Sequence, residues 1–397
     1  MIKRARVLVG RQFVLSACLC LLLAGCASGR YGPPPDTAPP PGPHTLKNLS
    51  VAERRLVMQR ARVWRAIDTS SLNLMAGPAL PPAQRIGAQT TCTYAHPEKP
   101  LSGDTPKFEC AITSGDTVKV KYGENNGEVY AEVAASRLLW ALGFRVDTIV
   151  PTRVTCRNCP VDPFSVSAKQ WRRNPPADLA TRVFVPAIIE RNVPGKSVDV
   201  PGYEGWAWPE LDQLQTRGAG ATRAQIDALK LLAVFIQHSD SKPDQQDIVC
   251  EEGRHRKDAR GNETCRAAWL VIKDLGATFG KATRLNSSKM NLADWDDAGV
   301  WKTGQRCVGD LPRSMTGSLE DPVIGEAGRR LLAQKLMQLS DRQLRDLFTV
   351  SQVEKRAEEI DGRDGRKRLV TVADWVRVFK RKRADITSAR CAASAVD

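Results

Sequence analysis

The chain has 397 residues, of which 42% are hydrophobic and 26% charged, and its formal net charge is +15 at pH 7. That length suits one large domain or two modest ones, and the basic balance suits anionic lipid headgroups or cell-surface polymers. The sequence has no internal repeat, arginine-rich helix or aromatic stacking motif, so nucleic acid is not an expected partner.

The first residues place Lys3, Arg4, Arg6 and Arg11 ahead of an apolar run, QFVLSACLCLLLAGC, that ends at Cys26. The run is shorter than the ~20 residues of a spanning helix and reads as a secretory signal. Its ending, Leu23-Ala24-Gly25-Cys26, resembles the bacterial lipoprotein signal. The resemblance implies a signal peptide over 1–25, lipidation of Cys26, and a membrane anchor in the cell envelope. Ala27, in place of aspartate, implies the outer membrane of a Gram-negative cell. An ordinary secretory signal and an uncleaved anchor are the alternatives. Residues 29–44 hold seven prolines and read as a stiff polyproline spacer, within a lipidated linker over 26–44.

The folded part begins near residue 45. Leu56, Met58 and Val63 interleave with basic residues, predicting an amphipathic lead-in helix within 45–70, in a helical segment that runs to 90. TTCTYA, PKFECAI and DTVKVKYG are short β-rich runs separated by turn residues, predicting a small antiparallel sheet. NGEVYAEVAASRLLWALGF then has helical period and stops at Gly143. RVDTIVPTRVTC and TRVFVPAIIER read as strands around a polar insert, 155–180. Thr222 and Gln225 form a capping-box pattern before the helix ATRAQIDALKLLAVFIQ. DIVC and AAWLVIKDLG are strand-like, and the chain is mainly helical from about 326.

Eight cysteines follow Cys26, an even number that suits disulfides in an exported protein. Cys250 and Cys265 flank one polar loop and make the most plausible local pair. Cys156-x-x-Cys159 reads as a structural disulfide, with half a zinc site or a redox pair as alternatives.

Chemistry concentrates at HSDSKPDQ, residues 238–245, directly after an apolar helix. Asp240 can accept a proton, Lys242 can steady an anion, and the amide oxygen of Gln245 or Gln246 can bind a metal. About thirty residues on, Asp274 ends an apolar strand just before Gly276, a position that suits a magnesium ligand.

HSDSKPDQ resembles the protein-kinase catalytic loop H-R-D-x-K-P-E-N, and Asp274-Leu275-Gly276 resembles its D-F-G. The resemblance spans roughly residues 100–350 and implies an α+β, two-lobed fold. Its small antiparallel β-rich N-lobe covers 91–190 and its mainly helical C-lobe 191–397. It implies Asp240 as catalytic base, Lys242 as a phosphate contact, and Asp274 and Gln245 as ligands of Mg2+. Lys121, with Lys119 as runner-up, would grip the phosphates of ATP or another nucleotide. Glu132, with Glu128 second, would be its ion-pair partner. Glu132 lies eleven residues before Gly143, a spacing similar to that of the HipA-like and phosphoinositide-kinase-like branch. Gly103 would let the backbone approach the phosphates. The sequence departs from the family in having Gln245 for asparagine and one glycine in the phosphate-covering turn, where protein kinases have three.

Two functions follow from this resemblance. One is phosphoryl transfer, or transfer of AMP or an amino acid, to an unknown protein or small-molecule acceptor. The other is a non-catalytic scaffold of the envelope, favoured by the scarcity of ATP outside the cytoplasm. A structural lipoprotein whose motif match is chance is a third reading. His238 would pack beneath the metal-binding segment. The acidic stretch 294–301 lacks the calcium-loop spacing and reads as an exposed turn, and the basic runs 363–368 and 380–383 read as solvated faces.

Overall fold

The computed structural model describes residues 45–392, apart from 47, 97–100, 102, 104, 166–177, 215–219, 258, 260, 285–286, 315–316 and 363–364. The signal, Cys26, the proline-rich spacer and residues 166–177 of the 155–180 insert lie outside the described residues.

Five strands with alternating burial close into a barrel: β1 (Gln89–Ala95), β2 (Lys107–Thr113), β3 (Asp116–Tyr122), β4 (Thr148–Cys159) and β5 (Ala180–Arg191). Their order is β1-β2-β3-β5-β4, antiparallel throughout except where β1 pairs parallel with β4 and shuts the sheet. The barrel has its own core, including Phe108, Val118, Val120, Val154 and Ile189, separate from the main core.

Six described helices matter to the main core: α1 (Val51–Arg60), α2 (Gly127–Ala141), α3 (Trp208–Asp212), α4 (Arg223–Phe235), α5 (Leu292–Asp297) and α6 (Glu326–Met337). They are joined by α7 (Asp341–Val350) and α8 (Val372–Ser388). Asn126 caps α2, and Gly143 reverses the chain after it at φ +94°. The Thr222–Gln225 capping box opens α4 as expected. Phe235, Phe279, Trp295, Phe348, Trp375 and Phe379 pack largely edge to face between α4, α5, α7 and α8, the geometry ring quadrupoles favour.

Smaller sheets complete the fold. β6 (Lys196–Ser197), β7 (Gln246–Cys250) and β10 (Ala268–Ile272) form one; β8 (His255–Lys257) pairs with β9 (Glu263–Cys265), and β11 (Glu359–Asp361) with β12 (Lys367–Leu369). The fold is therefore mixed α+β. No described helix is long and apolar enough to cross a membrane.

The lead-in helix is shorter and less amphipathic than expected. It ends at Ala61, because the backbone of Arg62 pairs with Ala268 and Leu270 at 3.0 and 2.9 Å and becomes extended. Within it Leu56 is 48% exposed, whereas Arg54 is buried and ion-paired to Glu210. The first half of the 294–301 stretch lies in α5, with Asp296 and Asp297 paired to Arg381 and Lys281 rather than open to calcium. The 380–383 run is only half a solvated face: Lys380 and Arg381 are exposed, whereas Lys382 is buried under Trp295 and Arg383 donates to the carbonyls of Leu336 and Leu339.

All eight cysteines among the described residues are paired: Cys92–Cys110, Cys156–Cys159, Cys250–Cys265 and Cys307–Cys391. Cys156-x-x-Cys159 is thus a disulfide rather than half a zinc site.

Candidate functional site

Strand alternation decides which lysines reach the site. Val118 and Val120 enter the barrel core, so Lys119 and Lys121 emerge on its outer face. Lys121 is 1% exposed and pairs with Glu132 on α2, itself 1% exposed. Its ammonium also lies 2.9 Å from Asp274 Oδ1 and 3.7 Å from Glu128 Oε2. Lys119 instead pairs with Glu190 at 3.0 Å. Glu128 pairs in addition with Lys289. Carboxylate oxygens of Glu128, Glu132 and Asp274 lie within 4.8 Å of one another, and the Lys121 ammonium is the cation they share.

These contacts set the charges. Burial opposes the Lys121 ammonium, but Glu132 and Asp274 outweigh it and hold its pKa well above the usual lysine range. Burial pushes Asp274 up, yet Lys121 overcomes this and keeps its carboxyl below the usual range. Burial raises Glu132 well above its ordinary value against the pull of Lys121.

The loop after α4 supplies the opposing side. Gln237 turns the chain at φ +54°, and its side chain bonds Asp310 O at 2.8 Å and Ala282 N at 3.1 Å. The antiparallel pairing of Gln246 with Ile272, continued by Lys273 N to Gln245 O at 2.9 Å, brings Gln245 and Asp274 to one end of β7 and β10. The Gln245 amide donates to Asp240 Oδ2 at 2.9 Å and Asp274 Oδ2 at 3.2 Å. Asp274 adopts the left-handed conformation, φ +44°, which aspartate tolerates better than most residues.

The remaining predicted residues are placed as follows. Lys242 is half-buried and precedes a short turn, Pro243–Gln245. Gly103 lies between β1 and β2 at φ +79°, with Lys107 Nζ 3.3 Å from where a β-carbon would stand. His238 is fully buried, and burial pushes its pKa down to about 4 despite Asp240 and Asp274, so its ring is neutral. Its nitrogens meet no donor or acceptor among the described residues, in keeping with a packing role.

Two features lie beyond the sequence reading. Lys107 faces Lys121 directly across β2 and β3, is 8% exposed, and has no ion-pair partner among the described residues. Burial and the Lys121 charge lower its pKa. Strand register alone identifies it. Second, Ser241 is buried and its hydroxyl accepts the backbone N–H groups of Ser318 and Leu319 at 3.1 and 3.2 Å. Ser318 Oγ returns a bond to Ser241 O at 2.6 Å, and Ser314 donates to Ser239 O. Nothing in the local sequence announces this latch, because its partner strand of chain is more than seventy residues away.

The donor set suits a hard cation. Asp240 Oδ1 and Gln245 Oε1 are buried and accept no hydrogen bond among the described residues, and half a turn of the amide would exchange its NH2 for oxygen. Two carboxylates and an amide oxygen are the ligands Mg2+ prefers.

No protein-family model matches the chain, and no curated protein matches it. Among solved structures it is similar to the crystal structure of a Helicobacter pylori proinflammatory kinase, CtkA, at 9% identity and a TM-score of 0.35, over 76% of this chain and 94% of that one. The likeness is distant and fixes neither the fold nor the chemistry of this chain.

Proposed function

We propose that this protein is a kinase-like phosphotransferase that moves the terminal phosphoryl group of ATP or another nucleoside triphosphate to a hydroxyl on a protein or small-molecule acceptor. The observation that carries this reading is the Lys121 ammonium, buried between Glu132 and Asp274 and facing Asp240 and Gln245 across the Asp274 carboxylate. A fixed cation beside clustered oxygen ligands is what phosphoryl transfer requires, since the reaction is mostly positioning and charge neutralisation.

In this reading the barrel with α2 is the small lobe and the helical remainder the large one. Lys121, held by Glu132, binds phosphate oxygens, and Lys107 adds a second positive charge beside the Gly103 turn. Asp274 and Gln245 would hold Mg2+, which neutralises charge on the transferring group. Asp240 orients the acceptor hydroxyl and takes its proton as the new O–P bond forms and the bond to the leaving diphosphate breaks. The proton then passes to water. Lys242 steadies the transferred group from the rim.

The lipoprotein-like N-terminus supports export, anchoring through Cys26, and residence at the outer membrane of the envelope. The four disulfides support an oxidising compartment.

The test is thermal unfolding of the purified, disulfide-intact protein with Mg2+ and a panel including ATP and GTP, alongside Asp274→Ala. A metal-dependent rise in melting temperature, lost in the variant, supports the reading. No shift with any nucleotide at millimolar concentration sinks it and leaves a non-catalytic scaffold.

A further inference from the structure

Beside the Lys121 site lies a cavity of about 690 Å³, lined in part by Lys119, Asp147, Glu190, Asp247 and Lys273. Its position follows from chain register. Lys119 shares a strand face with Lys121, Lys273 directly precedes Asp274, and Asp247 follows Gln245 by two residues. The cavity therefore begins where the proposed phosphate site ends.

Its lining is charged rather than apolar, which is unusual for a site that receives a flat ring. Of its five carboxylates, Glu190 is matched by Lys119 at 3.0 Å and Asp247 by Lys273 at 3.4 Å. Asp147 has no cation at ion-pair distance among the described residues. It is 3% exposed, and one oxygen accepts Val193 N–H at 2.8 Å while Oδ2 accepts nothing. Asp247 repeats the pattern. Its Oδ2 takes bonds from Ser197 at 2.8 Å and Lys273 at 3.4 Å, while Oδ1 accepts nothing. Burial, then the neighbouring Glu190, pushes the Asp147 pKa up to about 7, as expected of a buried carboxyl with a single backbone donor and no ion-pair partner.

Buried carboxylate oxygens of this kind call for N–H donors. One cation cannot serve them together: among the described residues, the cluster close enough to share an ion is Glu128, Glu132 and Asp274. The fitting ligand is extended and carries several donors. Of the two purines, guanine presents an imino N–H and an amino group side by side. Adenine presents one amino group next to a ring acceptor, which carboxylate oxygens repel.

We propose that this cavity holds the base of the nucleotide and selects guanine over adenine, with Asp147 and Asp247 as the acceptors that read it. The proposal rests on the phosphotransfer reading of the adjoining site. Discrimination arises because a site built from acceptors leaves them unpaired when the wrong base enters.

The test is equilibrium binding of GTP, ITP, ATP and inorganic tripolyphosphate, each with Mg2+, to the full chain. Inosine lacks only the amino group of guanine. The expected result is GTP binding at least tenfold tighter than ITP and ATP, with Asp147→Asn and Asp247→Asn each bringing the GTP-to-ATP ratio towards one. If GTP, ITP and ATP bind equally while tripolyphosphate also binds, this proposal falls and the phosphate site stands. If neither tripolyphosphate nor any nucleotide binds, both fall. The wild-type panel decides the matter even if a variant fails to fold.

Discussion

Gly276 and Glu128 are packed so closely that a β-carbon on the glycine would sit 2.6 Å from Glu128 Cγ. Glu128 lies in the first turn of α2, and Gly276 follows Asp274 by two residues, so this contact sets the spacing between the helix that carries Glu132 and the loop that carries Asp274. Gly276→Ala must push them apart. Overpacking of this kind costs about 1–3 kcal/mol. We expect a melting temperature lowered by several degrees and loss of the Mg2+–nucleotide shift, read by thermal unfolding of the variant with and without ligand.

Lys121→Met removes the counter-ion of Glu132, which is 1% exposed. Leaving one partner of a buried pair uncompensated costs about 3–5 kcal/mol. Adding Glu132→Gln should recover at least ~1 kcal/mol of that loss, because the two changes act on one contact. Urea unfolding of the two single variants and the double variant checks this. Strict additivity would mean the pair is not coupled.

Ser241→Ala strands the Leu319 N–H and leaves the Ser318 N–H only its longer bond to Ser241 O at 3.3 Å. Each unsatisfied buried donor costs about 1–3 kcal/mol. The loop bearing Asp240 also loses its brace, so the rate of phosphoryl transfer should fall more than nucleotide affinity does. Turnover and binding measured on the same preparation separate the two effects.

Asp240, Gln245 and Asp274 were legible from side-chain chemistry and spacing, and Lys121 and Glu132 from the resemblance to protein-kinase motifs. Lys121 lies near the end of β3, Glu132 within α2, and Asp240 and Asp274 in the loops just after α4 and β10, so their neighbourhood could be inferred from order along the chain. Lys107 was not, because its role depends on which residue of β3 lies opposite it, and register is a property of the paired strands. The parallel closure of β1 on β4 was hidden for the same reason. The lead-in helix was overextended because the capture of Arg62 by β10 is a tertiary event that local helical pattern does not foresee. The polar latch on Ser241 is invisible to hydrophobic patterning altogether.

Asp147 gives a pH dependence with a defined sign. Its native pKa is about 7 against an ordinary value of 3.8, so the folded chain holds the proton over a range where the unfolded chain has released it. The resulting stability is complete below pH 3.8 and is lost as pH rises to about 7. The loss is roughly 4 kcal/mol at most, at about 1.4 kcal/mol per pH unit. Asp147→Asn cannot titrate and should flatten that decline. Melting temperatures of both proteins between pH 4 and 7.5 test it, and parallel curves would refute it.

The disulfides should rank by the chain they enclose. Cys307–Cys391 spans 84 residues, against 18 for Cys92–Cys110 and 15 for Cys250–Cys265. Loop entropy predicts losses of about 4.5 kcal/mol for the first and about 3 kcal/mol for the other two on paired Cys→Ala replacement. Denaturant midpoints of the three variants give the order.

The latch between Ser241 and the 318–319 backbone has an evolutionary corollary. Its donors at Ser318 and Leu319 are main-chain N–H groups, so they survive almost any exchange of side chain. Sequence is free to drift at 319 within the limits of packing, and only proline, which has no N–H, would unfasten the loop there. Position 241 has no such latitude, since its hydroxyl is the shared acceptor. Related chains that keep this centre should therefore hold a small hydroxyl residue at 241 while varying at 319.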